Sequence, residues 1–217
     1  MPRRFATLFA VFALAAPAST ARAQSQTEQL ARAGITNLMA QKFPEAEAAF
    51  RKLYEAEPDK IRGLMGVVEV YMAQGKEDDA QRLLDAEILK PPARPDLLVF
   101  AGDTAMRTKN YDKAVVRFQQ AIEAIDFKSE GTFYVHRAAT TGNSLADSVN
   151  ALIGPDATPK GAAGVYLRLC EAWRRKGDDP SALDAIRHAK ELAPRDSAVL
   201  WYFATPKMRW RSTMPPT

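Results

Sequence analysis

The sequence has few of the side chains that enzymes and metal proteins concentrate at their sites. Of 217 residues, one is a cysteine and two are histidines. The single cysteine, Cys170, excludes an internal disulfide. His136 and His188 are 52 residues apart and have no second ligand at helical spacing, which excludes an ordinary zinc site. A Gly-rich phosphate loop and a nucleophile elbow are also absent. We therefore expect a non-catalytic protein without a metal or a cofactor.

The first 23 residues are predicted to be a signal peptide. Arg3 and Arg4 precede an apolar run, 5–16, that is too short to span a bilayer as a mature helix. Ala21 and Ala23 are small residues at the two positions that a signal peptidase recognises, so we expect cleavage after Ala23. We expect the mature chain to be periplasmic or secreted, without a stable membrane anchor. The alternatives are an uncleaved anchor and a buried N-terminal helix.

Little net charge remains without this leader. The chain has 30 basic and 26 acidic residues, and the leader contains three arginines and no acid. The mature chain therefore has 27 basic and 26 acidic residues. Nucleic-acid binding needs a sustained basic surface, so we expect no nucleic-acid partner. Basic residues cluster in 168–176 and again in the tail. This region could meet an acidic partner or an anionic membrane surface, but such runs are more often a solvated face.

A period of 34 residues runs through the chain. Four alanines share one phase, a large apolar residue follows each alanine by four positions, and a proline follows three of them by twelve. Small residues let two helices approach closely, large ones fill the space beside them, and proline ends a helix. The pattern predicts stacked helix pairs. The alanines are Ala46, Ala80, Ala114 and Ala182, the large residues are Phe50, Leu84, Phe118 and Ile186, and the prolines are Pro58, Pro92 and Pro194.

This pattern resembles the tetratricopeptide repeat. The resemblance implies an all-α fold, a right-handed α-solenoid of stacked helix-turn-helix repeats, and a scaffold that binds another protein or peptide. It places Cys170 at a small-residue position, where packing is favoured over reactivity. Repeats would begin at Thr27, Ile61, Pro95 and Ala163, and inter-helix turns would lie at Gln41, Gly75, Lys109 and Gly177. The small-residue position of each repeat is held by Gly34, Val68, Gly102 and Cys170, of which Val68 is larger than the pattern usually has.

The expected organisation follows from the register. A signal peptide (1–23) precedes three repeats (27–128), a poorly matching segment (129–162), a repeat with a capping helix (163–205), and a flexible basic tail (206–217). We favour a degenerate repeat for 129–162 because the phase is kept, and an insertion is the alternative. Ser197 is the predicted N-cap of the capping helix. A second functional hypothesis is a small-ligand carrier or enzyme-like accessory that uses 129–162, with Glu130, His136, Arg137 and Asp147 as candidates.

The resemblance also implies a binding groove. The first helix of each repeat lines a concave face, to which five positions of the repeat point. Four methionines fall there, and because methionine adapts to irregular apolar surfaces, we expect a helix or an extended apolar segment as the occupant. The alternative is that these methionines pack as core between helices. The predicted groove residues are Leu38, Met39, Met65, Glu69, Met72, Asp103, Met106, Arg107, Glu171 and Arg174.

Overall fold

The computed structural model describes residues 17–125 and 161–204, and all regular structure in these two stretches is helical. The predicted all-α solenoid is confirmed. Within these stretches the helices are α1 (Pro17–Met39), α2 (Phe43–Ala56), α3 (Arg62–Ala73), α4 (Glu77–Ile88), α5 (Pro95–Arg107), α6 (Tyr111–Ala124), α7 (Gly161–Lys176), α8 (Asp179–Leu192) and α9 (Ser197–Ala204).

The helices form consecutive hairpins that stack on one another. We call α1, α3, α5 and α7 the A helices, and α2, α4, α6 and α8 the B helices. Each A helix packs against the B helix that follows it, and each B helix up to α6 also packs against the next A helix of the described chain. Helix α9 packs against α8. One hairpin alone cannot bury its apolar face, so the neighbouring hairpins supply the rest of the core.

Each hairpin closes through a residue in the left-handed region of the backbone. The φ angles are 58° at Gln41, 71° at Gly75, 60° at Lys109 and 89° at Gly177. These are the four positions at which the sequence predicts the turn. Glycine adopts this conformation at little cost, whereas a residue with a Cβ is destabilised there by roughly 1–2 kcal/mol. Gln41 and Lys109 therefore carry local strain that the two glycines avoid.

The predicted pairing of small and large residues forms the core. Phe50 is fully buried, and its ring lies between Gly34 of α1 and Gly66 of α3, where an added Cβ would overlap the ring. Gly102 makes the same close approach to Phe118. The four alanines of the shared phase are completely buried as well. Close backbone contact around the two aromatic rings therefore sets the spacing of the helices.

Helix α7 packs directly on α6 and extends the same core. Val165 and Cys170 of α7 belong to one apolar cluster with Ala114 and Phe118 of α6. The position next to α6 in the stack is thus occupied by a helix that begins at residue 161. Most of the segment 129–162, including its candidate residues Glu130, His136, Arg137 and Asp147, lies outside the described residues, as do 1–16 and the tail 206–217.

Side-chain caps begin two of the B helices. Asn110 accepts a hydrogen bond from the backbone N–H of Lys113 at 3.1 Å, and Asp178 accepts one from Ser181 at 3.0 Å. For α9 the predicted cap is wrong by one residue. Asp196 accepts the hydrogen bond from the Val199 N–H at 3.2 Å, and Ser197 is the first helical residue. A carboxylate at this position also favours the positive N-terminal end of the helix.

Candidate functional site: the A-helix face

The predicted groove positions lie along the A helices, and we call this surface the A-helix face. Two of its predicted residues are core, because Leu38 is 1% and Met65 is 3% exposed. Met65 therefore packs as core, which was the alternative for the methionines, and Leu38 lies in the same apolar cluster formed by α1 to α5. Met39 is 62% exposed, whereas Met72 and Met106 are half-buried.

Three of the charged groove residues, Glu69, Asp103 and Arg107, form contacts between neighbouring A helices. Arg107 of α5 makes a two-fold ion pair with Glu69 of α3, one arm of which measures 2.9 Å. The Nε of Arg168 in α7 lies 3.0 and 3.1 Å from the two carboxylate oxygens of Asp103 in α5. Arg62 and Glu28 form a longer pair, 3.7 Å, between α3 and α1. A ladder of ion pairs therefore crosses every A-to-A junction of the described chain.

Burial and pairing compete within this ladder. Glu69 is 4% exposed. Burial alone would lower the pKa of Arg107, but the hydrogen bonds that Arg107 donates to Glu69 and the negative charge of Glu69 outweigh burial and raise this pKa. Burial raises the pKa of Asp103 above its ordinary value, although Arg168 acts in the opposite direction. These charges stabilise one another and join the repeats.

A second charged group lies at the C-terminal end of α7. Glu171 accepts hydrogen bonds from Arg174 at 2.8 and 2.7 Å and from Arg175 at 2.7 Å. Burial alone would raise the pKa of Glu171, but the two arginines lower it. Lys176 pairs with Asp112 of α6 at 2.7 Å and lies 5.0 Å from the Trp173 ring. With Arg168 bound to Asp103, each cation of this basic run has an acidic partner. Arg174 and Arg175 share one carboxylate, so the four cations are paired with three acids and the run keeps an excess of one positive charge.

Sequence reasoning did not identify Arg168 as a partner of Asp103, because 65 residues separate them. One signal was available. The ninth position of the second, third and fourth repeats is acidic, at Glu69, Asp103 and Glu171. Each of these acids is bound by at least one arginine in the structure. At Glu69 and Asp103 the arginine belongs to the next A helix of the described chain, whereas at Glu171 both arginines belong to α7 itself.

Neither cysteine nor metal chemistry finds support in the described residues. Cys170 is fully buried, and burial raises the pKa of its thiol to about 12, so the reactive thiolate is suppressed at neutral pH. Over 17–125 and 161–204, no three metal-ligating side chains converge. In the same stretches no helix combines the length and the apolar composition needed to cross a membrane.

Part of the chain matches a known protein family. Residues 37–90 match a tetratricopeptide repeat family model. A search of curated proteins gave no match. Yeast Tom70 is 19% identical with a TM-score of 0.46, and the alignment covers 87% of this chain and 41% of Tom70. This chain therefore spans less than half of Tom70. The MamA protein is 16% identical with a TM-score of 0.35, and the alignment covers 89% of this chain and 100% of MamA. A MamA structure described as AMB-1 is 20% identical, with a TM-score of 0.31 and coverages of 84% and 100%.

The family match covers α2, α3 and α4, and the same kind of hairpin recurs beyond it. The left-handed turn and the buried alanine appear in all four described hairpins. The contact between a glycine of the A helix and a phenylalanine of the B helix appears in the first and third. Residues 37–90 thus match the tetratricopeptide repeat family, and the hairpins on either side share the left-handed turn and the buried alanine of the matched part.

Proposed function

We propose that this chain is an exported, non-catalytic scaffold that holds a segment of a partner protein along the A-helix face. Mediating contacts between proteins is the general role of the tetratricopeptide repeat. The observation that carries the proposal is a row of methionines. Met39, Met72 and Met106 lie at the C-terminal ends of α1, α3 and α5, one per repeat, and all three are at least partly accessible.

The row suits an apolar partner segment. Methionine side chains are flexible and polarisable, so they adapt to irregular apolar surfaces. The ion-pair ladder lies beside the row of methionines. Because its charges are already paired with one another, a bound partner would contact a polar surface there without burying an unpaired charge. An amphipathic helix or an extended segment with apolar side chains at regular spacing fits this combination.

Two substitutions test the proposal. Met39→Glu and Met106→Glu place a charge in the row, and Val116→Glu is the matched control because Val116 is 48% exposed on a B helix. Purified variants immobilised at equal amounts would be used to recover partners from envelope extract. We expect partners recovered by the wild-type protein and by Val116→Glu to be lost with both methionine variants, while circular dichroism shows unchanged helicity. Equal recovery by all four proteins would refute the assignment of this face.

Export rests on the leader. Among residues 26–39, the part of α1 whose burial the structure describes, four side chains are buried in the core, and all four lie beyond a cut after Ala23. They are Thr27, Ala31, Ile35 and Leu38. Cleavage there would leave these contacts intact. Fractionation of cells followed by N-terminal sequencing tests this step, and the expected product begins at Gln24 in the periplasm or medium. A cytoplasmic protein that retains residues 1–23 would contradict it.

A further inference from the structure

A crevice of about 580 Å³ opens between the B helices α6 and α8, with α7 as its floor. Its lining contains three aromatic side chains, Tyr166 and Trp173 of the floor and His188 of α8, and two carboxylates, Glu123 and Asp184. We call it the α6–α8 crevice. Along α7 its floor residues lie on roughly the opposite side from Glu171 and Arg175, so it is separate from the A-helix face.

The equivalent crevices at the two earlier junctions are closed by side chains. Between α2 and α4 the Tyr54 hydroxyl donates a hydrogen bond to Glu87 at 2.7 Å, and the remaining space is about 90 Å³. Between α4 and α6, Asp85 binds Lys113 at 2.6 Å and Arg117 at 2.7 Å. A polar bridge thus joins successive B helices at both places.

The third junction lacks both kinds of bridge because the sequence changes at the positions that form them. No hydrogen bond or ion pair joins α6 to α8 among the described residues that line the crevice. At the matching repeat positions, Ile122 replaces Tyr54, Ala189 replaces Glu87, Gln119 replaces Asp85, and Ser181 and Ala185 replace Lys113 and Arg117.

The open crevice has the chemistry of a cation site. The Tyr166 and His188 rings stack with their centroids 5.2 Å apart, and Trp173 already accepts a lysine ammonium at its ring. Its lining includes no lysine or arginine. Burial raises the pKa of Tyr166, and the charges of Asp184 and Glu191 raise it further, which indicates a negative local field.

We propose that the α6–α8 crevice binds an arginine-bearing segment of a partner protein. A guanidinium stacks on aromatic faces and donates paired hydrogen bonds to carboxylates, so it uses both features of the wall. The size of the crevice falls within the range of ligand sites and admits several side chains of a peptide. The site does not depend on the A-helix face, and the methionine variants are expected to retain it.

Fluorescence anisotropy with a labelled Gly-Ser peptide that carries three arginines tests the proposal. The double variant Glu123→Gln/Asp184→Asn is expected to bind more than about tenfold more weakly, and a trilysine peptide about fivefold more weakly than the arginine peptide. Glu55→Gln is the matched control, because Glu55 holds the repeat position of Glu123 at the closed first crevice. Equal weakening by the control, or none by the double variant, would overturn the proposal.

A second variant separates a built site from general attraction. Ile122→Tyr with Ala189→Glu reproduces the bridge of the first junction and adds a negative charge. If the peptide binds inside the crevice, closing the crevice should abolish peptide binding. If the peptide is only attracted by negative charge on the surface, the added charge should tighten binding, and this result would refute the site. If this variant loses helicity, the test of the site depends on the Glu123→Gln/Asp184→Asn variant. Removal of residues 205–217 must leave the affinity unchanged; binding that appears only after this removal would identify the chain's own basic tail as the occupant and overturn a partner segment.

Discussion

Arg168→Met should destabilise the protein by removing one member of a nearly buried ion pair. Arg168 and Asp103 have side-chain exposures of 14% and 15%, and Arg168 approaches both oxygens of the carboxylate. Methionine keeps the apolar length of the side chain but removes the charge. The Asp103 carboxylate is then left with Arg107 as its only cationic neighbour among the groups that affect its pKa.

The expected cost follows from burial. Breaking a fully buried pair by removing one partner costs about 3–5 kcal/mol, whereas exposed pairs contribute under about 1 kcal/mol. Because some water reaches this pair, we expect about 2–3 kcal/mol in the free energy of unfolding. Arg168→Met/Asp103→Asn removes the stranded charge as well and should recover more than half of that loss. Urea unfolding followed by circular dichroism measures all three proteins.

The loss should also depend on pH. The pKa of Asp103 in the folded protein is raised by burial above its ordinary 3.8, and removing Arg168 raises it further. A raised pKa means that the folded state binds the proton more tightly than the unfolded state, so stability is lost as pH rises through the folded pKa and regained as it falls. The difference between Arg168→Met and wild type should therefore shrink from pH 7 toward pH 4. A loss below about 1 kcal/mol that is independent of pH would refute this reasoning.

Three further results are expected. Gln41→Gly should raise the free energy of unfolding by about 1 kcal/mol because φ is 58°, whereas Gln74→Gly, where φ is −86°, should lower it; urea unfolding measures both, and equal effects would contradict the turn argument. Gly66→Ala places a methyl group against the Phe50 ring and should cost about 1–3 kcal/mol in the same assay, and a neutral result would show that the ring can move. Cys170 should react with a thiol reagent at pH 8 only after unfolding, and rapid labelling of the native protein would contradict its packing role.

The repeat architecture was predictable because it depends on local spacing. Buried alanines and left-handed turns recur at the positions that the 34-residue period indicates, and these features are formed within one hairpin or between adjacent hairpins. A period in the sequence reports such contacts directly. The partial burial of the predicted groove was harder to see, since Met65 packs in the core while Met39, on the neighbouring A helix, remains exposed.

The ion-pair ladder and the open crevice were not predicted, for a physical reason. Each depends on which side chains of separate repeats face one another, as with Asp103 and Arg168, and the distance along the chain gives no guide to that pairing. The crevice is defined by the loss of bridging residues at one junction only. The crevice can be identified only by comparison with the junctions that are bridged, such as the one joined by Tyr54 and Glu87.

The position of the Phe50 ring affects how this protein can be divided. The ring fills space beside Gly34 in its own repeat and beside Gly66 in the next, so no cut between these two hairpins leaves both surfaces complete. A fragment beginning near residue 60 would expose a furrow beside Gly66, and one ending there would expose half of an aromatic ring. The first repeat therefore cannot be removed or exchanged as an independent module. An exchange has to keep a phenylalanine at position 50 and a glycine at position 66, because these two residues pack against each other across the boundary.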